Sequence, residues 1–371
     1  MVPSARDMRV LFVRHGLFPG YLAPETKEWA KHLRRRGVHA EVVVLGERTP
    51  ESAADPLEFP IHCIDPSNTL RAYRALRPHL ERADIVHYVL GKRLELMPLL
   101  SRRPKYVFNH ISVSVTGRAL RDWVINLGKR LQPLLADHIV FTDACLAAAL
   151  KPIRKIPISL LPVGYPDDLF FPCPPPATDG ERRVLYHGAV RPLRRLDELV
   201  KVLARLPAEF TLTIVGGGSP ADESYRQSLG SLAASLGCAG RLHLLKKPQA
   251  EIRPLIERAW LCVGYVPMLE CYQEQFVIKT IEALACHRPV LATATRFTTR
   301  FREAIGHDRL LLTDGTVDDM VAKIRGADEF VRRFYAPDNL ATLTEALAPY
   351  AFRHIVETCL VPVYQNVLGH A

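Results

Sequence analysis

Glu274 and Glu282 stand eight positions apart in Glu-Gln-Phe-Val-Ile-Lys-Thr-Ile-Glu, which continues into Ala-Leu-Ala-Cys-His-Arg-Pro-Val. The pattern predicts a loop opening a helix, followed by a strand, with one acid at the helix mouth and one inside it. A helix start leaves backbone amides without intrahelical partners, and these suit a diphosphate. Carboxylates repel phosphate, so the acids are better aimed at the hydroxyls of a sugar beside it. On this segment alone, an amphipathic helix with two solvated acids explains the pair equally well.

Other stretches carry compatible chemistry. In Tyr186-His187-Gly188-Ala189-Val190-Arg191-Pro192-Leu193-Arg194-Arg195-Leu196-Asp197 a strand ends near His187 and a helix begins near Leu196. The loop between them holds three arginines, and guanidinium groups pair with phosphate oxygens through parallel hydrogen bonds. Gly216-Gly217-Gly218 follows a strand and allows close approach of a ligand, but it matches neither a dinucleotide fingerprint nor a P-loop. Arg14-His15-Gly16 and Phe108-Asn109-His110 end two strands of the first half, placing Gly16 and His110 where open α/β sheets bind ligands. Asp-x-Asp, His-Glu-x-x-His and Gly-x-Ser-x-Gly are all absent from the sequence. Leaving-group charge is therefore expected to be met by arginine, amides and helix dipoles, with no metal and no cofactor.

The elements that position these residues alternate regularly. Short apolar β-branched runs predict strands at 9–14, 41–45, 61–64, 85–89, 106–109, 138–141 and 159–163. A second set is predicted at 184–187, 211–215, 241–245, 261–266, 289–292 and 310–313. Helical periodicity lies between many of them, as at 25–36, 196–206 and 225–236. Such alternation predicts parallel sheets covered by helices, and this many strands suits two doubly wound domains. The proline-dense stretch from Gly164 to Pro176 marks the boundary. The expected division is 1–165, a linker at 166–180, a second domain at 181–348, and a last helix at 349–371, kinked at Pro362, crossing back to the first domain.

Composition narrows the class. Of 371 residues, 48% are hydrophobic and 24% charged, which is ordinary for a globular chain. The apolar run at Val10–Val13 is too short for a signal-peptide core, so a cytoplasmic location is expected. The eight cysteines show no Cys-x-x-Cys spacing and read as buried small hydrophobes. Residues 1–165 hold 25 Lys+Arg against 15 Asp+Glu, and the rest of the chain 24 against 24, so the whole net charge of +10 lies in the first half. That half is expected to meet something anionic. Arg71, Arg74, Arg77 and Arg82 share one predicted helix. Residues 117–135 combine Lys129 and Arg130 with Trp123, Leu127, Leu131 and Leu134 in a segment that reads as interfacial or as an ordinary packed helix.

Four of these motifs, in this order, resemble the GT-B retaining glycosyltransferases of family four, the glycosyl transferases group 1 type. Pro162 to Pro172 resembles the family's linker, Gly188 to Asp197 its basic loop, Val215 to Pro220 its glycine turn, and Glu274 to Val290 its paired-glutamate segment. The resemblance implies two Rossmann-like α/β domains facing across a cleft, the first for the acceptor and the second for the donor. It implies that Glu282 binds the ribose of a nucleoside diphosphate sugar and that Glu274 binds hydroxyls of the transferred sugar. Amides near Phe276 and Val277 would approach the diphosphate, and Arg194, with Arg191, would neutralise it as it departs. Gly16 would lie beside the diphosphate, His110 would orient the sugar, Gly216 would line the donor site, and the base would stack near Leu245 and Lys246. The chain departs from the family at Ala189, where arginine is frequent, and at Arg195 and His287, where glycine is usual. The implied partners are a nucleotide sugar and a glycan or lipid-linked acceptor, with peripheral contact at an anionic membrane; nucleic acid is not expected. A sugar-nucleotide epimerase and a non-catalytic anionic-surface or nucleic-acid binding module are the alternatives.

Overall fold

The computed structural model describes residues 8–16, 25–47, 57–90, 97–110, 119–176, 180–216, 222–275 and 277–369. The chain divides into two compact units, Met1–Gly164 with Phe352–Ala371, and Tyr165–Ala351.

Unit 1 is built on seven parallel strands: β1 Arg9–His15, β2 His39–Leu45, β3 Ile61–Ile64, β4 Ile85–Leu90, β5 Lys105–His110, β6 His138–Phe141 and β7 Ile158–Leu160. Their order across the sheet is β3-β2-β1-β4-β5-β6-β7. Unit 2 has six, again parallel: β8 Arg182–His187, β9 Phe210–Val215, β10 Leu242–Leu245, β11 Leu261–Gly264, β12 Val290–Thr293 and β13 Leu311–Thr313, ordered β10-β9-β8-β11-β12-β13. Each thus matches a run read from the sequence, because a strand covered by helices on both faces needs apolar residues at nearly every position. The order reverses between β1 and β4 in unit 1 and between β8 and β11 in unit 2, so a crevice opens at those carboxyl edges.

The same device shapes both edges. Gly16 N–H donates to Leu45 O and Gly188 N–H to Val215 O, each at 2.9 Å. The next strands also end in glycine. A Cβ on Gly46 would collide with the Gly16 carbonyl, and one on Gly216 with the Gly188 carbonyl, while φ at Gly46 is 147° and at Gly216 158°. Beside each reversal, the ends of β1 and β2 and of β8 and β9 therefore come together at a spacing only glycine permits.

The last segment returns to unit 1. His87 of β4 is fully buried, and burial, with His138 adding to it, lowers its pKa to about 3. The neutral ring hydrogen-bonds through Nδ1 to the Tyr364 hydroxyl at 2.6 Å and stacks on Trp29. The kink expected at Pro362 takes the form of a π-turn over Val356–Leu360, where Val361 N–H reaches back to Val356 O. Proline lacks the N–H for an α-helical bond, and the extra residue absorbs the mismatch.

Within the stretch read as a linker, 166–180, Phe170 and Cys173 are buried in the core of unit 2. Arg288, fully buried, donates to the carbonyls of Cys173, Pro174, Ile256 and Glu257. Prolines cannot donate, so their carbonyls need an outside partner, and one guanidinium supplies it. The cysteines also differ from expectation: all are free, but Cys63 and Cys145 are exposed, and Cys271 and Cys359 only partly covered.

Candidate functional site

In unit 2, loops after β8, β10 and β11 converge at the carboxyl edge. Helix Ile278–Ala285 starts there and lies tight against β11, since a Cβ on Gly264 would strike the Thr280 hydroxyl. Val277 caps this helix and is half-buried; Phe276 lies outside the described residues.

Glu282 is wholly buried and saturated. Oε2 takes His187 Nε2 at 3.1 Å, Oε1 takes Gln249 Nε2 at 3.1 Å, and Lys279 Nζ reaches both oxygens at 3.1 and 2.9 Å. Burial alone would raise its pKa; the Lys279 charge and the His187 hydrogen bond outweigh that and bring it to about 2. Burial lowers His187 in turn, with Glu282 opposing. Lys279 stands on the open side of this carboxylate, its side chain 33% exposed while the carboxylate's is 0%.

Glu274 is gripped by a different set. Arg296 Nε and Arg300 Nη2 each donate to one of its oxygens at 2.6 Å, and Arg296 also holds Glu270 at 2.5 Å. Burial pushes its pKa up, but the two arginines prevail and hold it below the usual value. Each carboxylate oxygen has two acceptor directions, so the arginines leave Glu274 room for a further donor.

Arg194 lies over the Tyr272 ring at 4.7 Å, which ties the loop after β8 to the segment after β11. Among the described residues it makes no ion pair, whereas Arg191 stands 3.9 Å from Asp222. Tyr186, buried beneath, feels both arginines; burial dominates and its pKa rises to about 12. Gly216 ends β9, and its carbonyl and that of Leu245 are both taken by Arg226, at 2.5 and 2.9 Å. Lys246 is exposed, three residues from Gln249.

Arg195 and His287, the positions where the family has glycine, both adopt left-handed backbone, with φ of 48° and 52°. A side chain there costs roughly 1–2 kcal/mol. His287 recovers part of this through Thr344 at 2.8 Å. Arg195 is exposed, so Arg195→Gly should stabilise the protein by about 0.5–1 kcal/mol after the added freedom of the unfolded chain. Urea unfolding checks it, and a lower midpoint would refute the strain.

In unit 1, Gly16 and His110 stand at the same sheet edge, two strands apart, or about 10 Å. His110 is buried against Phe141. Burial first, and Lys129 second, lower its pKa to about 3, so it is neutral at pH 7. Its Nε2 and both amide atoms of Asn109 lack hydrogen bonds among the described residues.

Sequence reading missed the residues that hold the acids. Lys279 precedes Glu282 by three positions on one helix, and Arg296 and Arg300 are four apart, so these were visible as same-face neighbours. His187, Gln249 and Tyr272 come from other elements and left no local signal.

Residues 181–327 match the family model described as Glycosyl transferases group 1. The chain is 29% identical to a D-inositol 3-phosphate glycosyltransferase from Mycobacterium sp. (strain KMS), over 88% of this chain and 85% of that protein. It is 26% identical to another from Mycobacteroides abscessus over 70% of this chain, spanning only 60% of that relative's length. Among solved structures it resembles Anabaena Alr3699/HepE in complex with UDP and glucose, with a TM-score of 0.76, 14% identity, and coverage of 96% of this chain and 99% of that one. It also resembles a Thermosynechococcus elongatus sucrose-phosphate synthase at a TM-score of 0.73 and 17% identity, covering 98% and 100%.

Proposed function

Through residues 181–327 the chain belongs to the glycosyl transferases group 1 family, in a GT-B frame of two Rossmann-like units, and from that premise we propose that it transfers a sugar from a nucleoside diphosphate sugar to a glycan or lipid-linked acceptor. The observation that carries this is the buried Glu282, held charged by four hydrogen bonds on the helix that starts at the carboxyl edge. A carboxylate kept ionised at that cost serves to accept hydroxyl hydrogen bonds. The HepE complexes hold UDP and glucose, which favours a UDP-sugar donor.

Breaking the anomeric bond places positive charge on the sugar and negative charge on the diphosphate. Arg194 and the amides from Val277 onward meet the latter, so the reaction needs no metal. As in the retaining family that its motifs resemble, the acceptor hydroxyl attacks from the leaving-group face, giving up its proton to the departing phosphate, and the configuration is retained.

Unit 1 supports a lipid-linked acceptor at a membrane surface. Helix Ala119–Leu131 and the turn after it leave Leu120, Trp123, Val124, Leu131 and Leu134 exposed, Leu120 by 76% and Trp123 by 61%, beside Arg130. Apolar side chains flanked by cations suit an anionic headgroup layer. No helix among the described residues is long and apolar enough to cross a membrane.

Calorimetry with UDP-, GDP- and ADP-sugars, followed by NMR of the product, tests the reading. One class should bind, and product with the donor's anomeric configuration should form faster with anionic vesicles present than absent. Trp123→Glu should abolish the vesicle effect and leave donor binding intact. No uptake of any activated sugar, an inverted product, or an epimerised sugar formed without acceptor would each overturn the corresponding part.

A further inference from the structure

We propose that Glu41, His62 and His79 form a site in unit 1 for a divalent transition-metal ion of the zinc type. The fold brings the three together from β2, β3 and the last turn of helix Thr69–Arg82. Glu41 alternates in phase with Val43 and Leu45, which enter the core beneath that helix. His62 pairs with Val43 in register, so its side chain leaves the sheet on the same face. Leu76 and Leu80 seat the helix, leaving His79 at the margin.

The donor atoms all lie within 4.8 Å of one another. His62 Nε2 is 3.3 Å from one Glu41 oxygen and His79 Nδ1 is 3.6 Å from the other. Ligands about 2.1 Å from a tetrahedral zinc ion stand roughly 3.4 Å apart, close to both of these His–Glu separations. His79 Nδ1 is buried, has no hydrogen bond among the described residues and faces the carboxylate. Two imidazoles on one carboxylate are poorly explained as an ion pair, since a single acid neutralises only one imidazolium. A metal ion uses both ring lone pairs at once.

The other charges are accounted for. Glu81 pairs with Arg77, and Arg82 hydrogen-bonds Pro78 O. Two imidazoles and one carboxylate select zinc, cobalt or nickel over magnesium or calcium. The side chains are 40%, 28% and 13% exposed for His62, Glu41 and His79, which leaves a path for the ion and a water as fourth ligand. Glu41 lies four residues before the end of β2, about 13 Å from the carboxyl edge, so the ion staples edge strand β3 and takes no part in sugar transfer.

The full chain, stripped with a chelator, is titrated with Zn²⁺ by calorimetry and with Co²⁺ by absorption. One equivalent should bind, raise the unfolding temperature saturably, and give visible d–d bands without thiolate charge transfer. His62→Ala, at an exposed position, and Glu41→Gln should each weaken binding at least tenfold. Cys63→Ser, altering the exposed thiol next in sequence, should not weaken it. Absence of uptake, a thiolate-dominated Co²⁺ spectrum, undiminished binding in His62→Ala, or loss in Cys63→Ser would each overturn the site.

Discussion

Replacing Glu282 by alanine is expected to destabilise the protein by about 3–5 kcal/mol, because it strands the donors that converge on a carboxylate no solvent reaches. His187 is fully buried and loses its acceptor, and Lys279 and Gln249 lose theirs. Glu282→Gln keeps the volume and one acceptor oxygen, so it folds more securely and separates charge from packing. Its affinity for the donor should still fall about 10–100-fold, the worth of a hydrogen bond to a charged group. The pH dependence gives an independent signature. The folded pKa is depressed from 4.5 to about 2, so this group's contribution is complete above the unfolded value and is lost as pH falls through that window. Wild type should therefore lose stability between pH 4.5 and 2 more steeply than Glu282→Gln. Chemical unfolding across that range measures it, and parallel slopes would show that the carboxylate is not the group being held.

The architecture was legible because its strands are short, apolar and punctuated, and a doubly wound sheet imposes that pattern whatever its ligand. Prolines signal a break in regular structure without saying what the segment contacts, and Arg288, which takes the carbonyls of Cys173 and Pro174, comes more than a hundred positions later. The acids at 274 and 282 could be picked out, since their spacing is local. Their environment could not: His187 stands 95 residues from Glu282, and Arg296 stands 22 from Glu274. Arg195 and His287 illustrate the reverse case. Their departure from glycine was visible in the motif, and the structure gives both the left-handed backbone that glycine adopts most readily. The trio of Glu41, His62 and His79 had no signal in sequence, since a register pairing and a helix end bring it together.

Arg194→Ala should lower kcat by about 10²–10³ while raising the donor KM much less, and this split is what distinguishes a leaving-group cation from a general anchor. The diphosphate gains charge as the anomeric bond breaks, so a fixed cation favours the transition state over the bound substrate. Arg194 is suited to this by what surrounds it. It rests on the Tyr272 ring and makes no ion pair among the described residues, so its charge is oriented but not neutralised. Arg191 already faces Asp222 at 3.9 Å, and Arg195 points outward from a left-handed turn. Arg191→Ala should consequently cost less than Arg194→Ala, and Arg195→Ala least. Lysine cannot reproduce the planar fork or its stacking, so Arg194→Lys should recover only part of the rate. Tyr272→Phe keeps the ring face and should be nearly silent, whereas Tyr272→Ala frees the guanidinium and should fall between wild type and Arg194→Ala. Steady-state kinetics over this series, with the donor varied at saturating acceptor, reads the order directly. A loss confined to KM, or a larger effect at Arg191, would move the role of leaving-group cation away from Arg194.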